Sequence, residues 1–135
     1  MVHGSTVSVV GRGLLILGRS GSGKSSLVLQ LMAFGAELVA DDRTRLIRRG
    51  DAVMATSPDT IHGRVEARGV GILAAAAGQA VPLALVADLD RTEKARLPEQ
   101  RSHDVLGVAL PLLFRVDAPH FPAALLQWLK AGRIA

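Results

Sequence analysis

Residues 18–26 read GRSGSGKSS, and no other stretch restricts the fold of this chain so strongly. Gly18, Gly23, Lys24 and Ser25 fit the pattern G-x-x-x-x-G-K-[ST] of a loop that wraps phosphate groups. The glycines let the backbone turn so that successive N–H groups point inward at phosphate oxygens. The Lys24 ammonium suits the β and γ phosphates. The Ser25 hydroxyl suits Mg²⁺, a hard cation that prefers oxygen. Arg19, Ser20, Gly21 and Ser22 complete the candidate nucleotide-binding loop. GLLILG before the loop is a short apolar run of the kind a buried parallel strand shows. SSLVLQLMAF after it is rich in helix formers, and Gly35 provides a stop. A phosphate held there lies at a helix N-terminus. A flexible Gly/Ser linker would not lie between two such apolar elements.

Composition bounds what the loop belongs to. The 135 residues suffice for one domain with a sizeable core. Apolar residues make up 49% and aromatics only 3%, so the core is aliphatic. No apolar run approaches the roughly 20 residues of a membrane span. The opening MVHGSTVSVVGR has no basic start followed by a long apolar stretch. Cysteine is absent, which excludes disulfides and thiolate metal sites. The expectation is a soluble cytoplasmic protein with no membrane contact. The net charge of +4 is spread along the chain as arginine and suits an anionic ligand or acidic partner. With so few aromatic stacking residues it does not point to nucleic acid.

Along the chain, TVSVV and LLILG read as strands joined at GRG, and AELVADD as a second buried strand ending in two carboxylates. RTRLIRRGDAVMAT predicts a hairpin around Arg49, Gly50 and Asp51. SPDTIHGRVEARGVGIL reads as a charged loop, VPLALVADLD as a third buried strand, and RTEKARLPEQRSHDVLG as a mobile surface segment. ALPLLFRV is a last strand. PAALLQWLKAG is an amphipathic helix with Phe121, Leu125, Trp128 and Leu129 on one stripe, a core face or a subunit contact. The sum is a compact α/β domain around a largely buried sheet.

A phosphate loop needs a carboxylate at the end of a neighbouring strand, to hold Mg²⁺ or orient a nucleophile. Asp41 and Asp42 qualify, as do Asp88 and Asp90, although the latter two read more simply as a polar strand end. Adjacent strand residues face opposite ways, so Asp41 and Asp42 should divide the work unless the strand has already ended. One serves the nucleotide and the other braces a loop. In VEARGVGIL, Glu66 and Arg68 share a face if the segment is a strand, with glycines allowing a tight bend. The plainer reading is an edge hairpin with an ion pair of little energetic value.

Taken in order, VHG, GRSGSGKSS, LVADD and VEARGVGIL, with a looser RLPE, resemble the catalytic domain of HPr kinase/phosphorylase. These bacterial enzymes act on a seryl residue of the phosphocarrier HPr, and the likeness is to the short form with the kinase domain alone. It covers about residues 2 to 98, and VEARGVGIL is similar to the family's E-x-R-G-x-G signature. The resemblance implies a P-loop kinase domain of the HPr kinase/phosphoenolpyruvate carboxykinase-like type, a single domain over 1–135. It implies an ATP-dependent serine kinase using Mg²⁺ in phosphotransferase-system regulation of carbon or nitrogen use. The partner implied is an HPr-type phosphocarrier protein, and the assembly a homo-oligomer, hexameric in the family. His3, Lys24, Asp42 and Arg96 match catalytic positions, with Asp42 as the acid that accepts the serine proton. Ser25 and Glu66 match the Mg²⁺ ligands.

The family also runs a phosphate-dependent dephosphorylation, linked to a C-terminal loop with Arg, Gly and Asn. This sequence reads FRVDAPHF there, with Asp117 where a basic residue would help, so that direction is expected to be weak. Two other readings are a P-loop kinase for a different acceptor and a non-catalytic nucleotide-sensing module. Lys24, Asp42 and Glu66 argue against the module, since a pure binder has little need of Asp42.

Overall fold

The computed structural model describes all 135 residues, Met1–Ala135. The chain opens with an antiparallel pair, β1 (Gly4–Val9) and β2 (Arg12–Leu17), joined by the two residues Val10 and Gly11. Both have positive φ, 47° and 75°, the twist that a two-residue hairpin loop requires. The phosphate loop follows β2 and leads into α1 (Lys24–Ala33). The predicted stop at Gly35 is found: φ is 104°, its N–H bonds to Met32 O, and Ala36 N bonds to Leu31 O. This closed C-terminal turn satisfies carbonyls that the helix itself leaves free.

After α1 come β3 (Glu37–Ala40), the hairpin of β4 (Arg45–Arg49) and β5 (Ala52–Thr56), and a single 3-10 turn at Asp59–Ile61. β6 (Arg64–Ala67) and β7 (Gly71–Ala74) form a separate two-stranded sheet. β8 (Val81–Thr92), β9 (Arg101–Val105), β10 (Val108–Arg115) and α2 (Phe121–Ala131) complete the chain. The main sheet has eight strands in the order β3-β1-β2-β8-β10-β9, with β4-β5 attached through β8. β2, β8 and β10 run parallel at its centre, and the flanking strands are antiparallel. The aliphatic runs around LLIL and LALV occupy this centre, where both faces are covered.

Alternation along β2 divides the core. Leu14 and Ile16 join Val28, Leu31, Leu85, Leu125 and Leu129 beneath the two helices. Leu15 faces the other way, among Val39, Val53, Ala55, Val86 and Leu110. Phe121, Leu125 and Leu129 of the predicted stripe are therefore core. Trp128 is half-buried, with the Arg12 guanidinium 5.8 Å from its ring centroid. Arg12 Nη1 also donates to Leu129 O at 2.8 Å, a cation at the negative end of α2.

Two expectations need correction. Residues 57–73 are not a loop alone: they contain β6 and the start of β7, the hairpin that the second reading of VEARGVGIL predicts, with Val65 and Ala67 buried while their neighbours face outward. The segment read as mobile from Arg91 contains the end of β8 and all of β9, so the third buried strand runs past its acids to Thr92. Its polar residues are held by specific pairing. Arg101 donates to Glu93 at 3.1 Å and lies 4.4 Å from the Phe114 ring centroid. Burial of the Glu93 carboxyl favours protonation. The Ala95 N–H, the Arg101 side chain and the Lys94 N–H outweigh it and hold the pKa below the ordinary glutamate value.

Two outcomes follow. Leu85 is fully buried at the sheet centre, so Leu85→Ala is expected to cost about 2–5 kcal/mol in urea unfolding. The Glu93 contribution to stability is present above the unfolded glutamate pKa of about 4.3 and is lost as pH falls through the lowered folded value. Urea midpoints measured against pH should show an acid limb that Glu93→Gln shrinks; an unchanged limb means that other carboxylates carry it.

Candidate active site

The topology brings four segments to one edge of the sheet. β2 and β8 are parallel, and β1 is antiparallel to both β2 and β3. The start of β1 therefore meets the ends of β2, β3 and β8. His3 and Ser5, the phosphate loop, the Asp41–Asp42 pair and Asp88–Asp90 all lie at that edge.

The loop is braced from beneath. Asp90 accepts the Arg19 backbone N–H at 3.1 Å, a contact missed when Asp90 is read as a plain polar strand end. Gly18 lies against Ser22, and a Cβ there would collide with the Ser22 side chain, so glycine is required. Gly21 and Gly23 have φ of 83° and 102°, where other residues are strained. Lys24 is buried and its Nζ donates to Gly18 O at 2.6 Å and Arg19 O at 3.1 Å, which holds the ammonium inside the curve of the loop. α1 begins at Gly23 without a side-chain cap and without an acid in its first turn. Its positive end and its free N–H groups are left to an anion. The Ser22 hydroxyl is buried against Gly18 with no partner.

Asp41 is the hub of the site. β3 ends at Ala40, so both acids have left the strand and need not face opposite ways. Asp41 is buried and accepts hydrogen bonds from Ser25 Oγ at 2.8 Å, Ser5 Oγ at 2.9 Å and Glu66 N at 3.0 Å. One carboxylate thus ties the first turn of α1, the start of β1 and the β6 strand together. Glu66 reaches the site through its own backbone, and its side chain is free to line the cavity. Arg68 lies in the turn after β6, not on the strand face of Glu66, which removes the predicted pairing geometry.

Asp42 is exposed and lies at φ 66°. Arg43 N donates to Asp41 O at 2.8 Å, closing a γ-turn centred on Asp42, and this positive-φ form is strained. His3 Nδ1 is 3.4 Å from Asp42 Oδ1 and 3.3 Å from its carbonyl oxygen. His3 is therefore an ordered member of the site; Val2, beside it, is bridged to Thr44.

A cavity of about 530 Å³ opens over these groups. Ser20, Gly21, Gly23, Lys24, Ser25, Asp42 and Glu66 line it, and Leu29 and Val70 add apolar surface. Gly18, Arg19 and Ser22 support the loop from outside the cavity lining. Arg96 is exposed on the Glu93–Gln100 segment and is not among the residues that line the cavity. Ser5 escaped the sequence reading, and Asp90 was considered there but read more simply as a strand end. Period-2 alternation from His3 would have placed Ser5 on the same side of the strand.

The residues suit Mg²⁺. No three His, Cys, Asp or Glu side chains cluster as a cage. Mg²⁺ needs none, because it is held by one or two protein oxygens together with substrate phosphates and water. Ser25 Oγ and the Glu66 carboxylate are such oxygens.

Comparison with known proteins places the chain. Residues 1–81 match the family described as HPr Serine kinase C-terminal domain. The HPr kinase/phosphorylase of Chloroherpeton thalassium is 36% identical over 133 residues, covering 89% of this chain and 38% of that protein. The one from an Azoarcus species is 36% identical over 132 residues, covering 87% of this chain and 41% of that protein. The chain thus spans about two fifths of the length of these relatives. The solved structure of the Hpr(Ser) kinase/phosphatase from Coxiella burnetii superposes with a TM-score of 0.79 at 22% identity, over 96% of this chain and 87% of that one. That likeness establishes a shared fold, the mixed α/β P-loop arrangement described above. With more than half of its residues matched, the chain belongs to the HPr serine kinase C-terminal domain family.

Proposed function

We propose that this protein is an ATP-dependent serine kinase that phosphorylates a seryl residue of an HPr-type phosphocarrier protein. The observation that carries the reading is the meeting of Asp42 and His3 beside a cavity lined by the phosphate loop. A nucleotide binder needs the loop; an exposed carboxylate beside it, paired with no lysine or arginine and with the His3 ring 3.4 Å away, suits a proton acceptor. The reading takes 1–135 as one kinase domain, since a single apolar cluster includes both Val7 and Leu129. No helix is long and apolar enough to cross a membrane. ATP and the carrier protein would be met in the cytoplasm.

In this mechanism the loop N–H groups and Lys24 bind and orient the β and γ phosphates. Ser25 and Glu66 would hold Mg²⁺, which supplies charge neutralisation on the phosphates when bound. Asp41 fixes the Ser25 hydroxyl as a donor, so that its lone pair faces away from Asp41. Asp42 takes the proton from the serine hydroxyl as that oxygen attacks, with His3 steadying its carboxylate. Arg96 remains assigned to the transferred phosphoryl group by resemblance alone. A P-loop kinase for another acceptor shares every one of these steps.

The test is transfer of labelled phosphate from ATP to HPr, beside an HPr whose acceptor serine is alanine. Label on the first alone supports the reading; label on neither, with ATP bound, sinks it. Asp42→Asn is expected to keep ATP affinity and lose about 10²–10⁴-fold in transfer rate, because an amide cannot accept the proton. Glu66→Gln is expected instead to raise the Mg²⁺ requirement. If added Mg²⁺ rescues Asp42→Asn and not Glu66→Gln, the roles are reversed.

The reverse direction should be weak. Arg115 Nε is 3.0 Å from Asp117 Oδ1 and its Nη2 donates to Thr92 Oγ1, so the guanidinium nearest that loop already has an acidic neighbour that would repel phosphate. Inorganic phosphate is best held by free arginine forks and inward N–H groups, and Pro119 has no N–H. Phosphoseryl-HPr given millimolar phosphate is expected to release pyrophosphate far more slowly than the forward reaction runs. Comparable rates overturn this.

A further inference from the structure

Ser5 has no role in the mechanism above, yet its hydroxyl touches both acids of the site. It is fully buried in β1. Its one proton goes to Asp41 Oδ1 at 2.9 Å, and its oxygen accepts the Asp42 backbone N–H, also at 2.9 Å. Both capacities of the hydroxyl are thus used on consecutive residues.

The register explains why a side chain is needed there. β1 and β3 pair at Thr6↔Ala40 and Val7↔Leu38, with a shift between them, and pairing resumes only at the Val2↔Thr44 bridge. Between Ala40 and Thr44 the chain swings out through the γ-turn at Asp42, so no β1 carbonyl meets the Asp42 N–H. The Ser5 side chain replaces that ladder bond. Thr6 fills the same gap on the other side: its hydroxyl meets Thr44 Oγ1 at 2.9 Å and neither acid.

We propose that Ser5 is a positioning residue for phosphoryl transfer, holding Asp42 in its strained turn while it orients the Asp41 carboxylate toward Ser25. A positive φ at a non-glycine residue persists only where its surroundings over-determine it. At Asp42 the fixed points are the Arg43 bond to Asp41 O, the Val2–Thr44 bridge, the His3 contact with its carbonyl oxygen and Ser5. Ser5 is the one that acts on the Asp42 amide itself. The inference rests on the kinase reading, since positioning matters only if Asp42 and Ser25 do chemistry.

The test compares Ser5→Ala, Ser5→Thr and Thr6→Val in the full chain. Ser5→Ala is expected to lower kcat for HPr labelling by about 10–100-fold, the usual effect of removing a group that orients a reacting one. Its KM for ATP should change little. Ser5→Thr, which keeps the hydroxyl, should recover most of the rate. Thr6→Val is equally buried and should lower thermal stability but keep kcat. Amide hydrogen exchange at Asp42 gives a readout independent of activity: protected in the parent and in Ser5→Thr, fast in Ser5→Ala. The inference is overturned if Ser5→Ala keeps kcat within about threefold, if Thr6→Val loses as much, or if the Asp42 amide stays protected without the hydroxyl. A parent protein that labels no HPr while its Asp42 amide depends on Ser5 overturns the kinase reading and leaves the positioning of the turn standing.

Discussion

A buried carboxylate with three donors holds this site together. Asp41 lies where β1, α1 and β6 converge, and each of them supplies one hydrogen bond. A carboxylate removed from water is costly unless it is hydrogen-bonded, and bonds to a charged group are worth about 1.5–3 kcal/mol each. The three contacts are therefore strongly coupled: the start of α1, the β6 strand and the first strand cannot shift independently. The placement of Glu66 and Ser25 in the lining of one cavity follows from that.

The electrostatics of the loop follow the same logic with the opposite sign. α1 has no acidic residue in its first turn, Lys24 is turned inward, and the uncapped N–H groups face the cavity. The local charge is positive where phosphate would sit and negative just beyond it, at Asp42 and Glu66. Such a gradient suits a reaction in which an anionic group passes from one oxygen to another near a base. It does not suit tight retention of a free nucleotide alone, which gains nothing from Asp42.

Rigid and exposed parts are divided along the sheet. The parallel centre is closed on both faces by aliphatic side chains, while the β6-β7 hairpin stands off the sheet with Val70 and Ile72 exposed beside the cavity. Loops that carry function are commonly mounted in this way on a rigid frame. Here the frame is β2 and β8, and Asp90 carries its rigidity into the second residue of the phosphate loop, Arg19.

Local patterns were enough for the phosphate loop, the helix after it with its Gly35 stop, the Gly50 hairpin and the C-terminal helix. Each rests on residues adjacent in the chain: glycine φ, alternation, helical period. The family resemblance likewise rested on short ordered motifs. The edge-hairpin reading of VEARGVGIL anticipated β6-β7, whereas β9 was not legible: RSHDV carries too few apolar residues to show alternation, although its partner β10 follows after only two residues. His3 was assigned by resemblance, but its contact with Asp42 spans 39 residues and exists only because β1 and β3 are neighbours. Arg96 shows the converse: a motif match on an exposed segment outside the cavity lining. The division of labour between Asp41 and Asp42 was posed by the sequence as two adjacent acids. Only the tertiary structure decided it, since β3 ends at Ala40, Asp41 turns into the three-donor pocket, and Ser5 meets the backbone of Asp42 where the sheet register breaks.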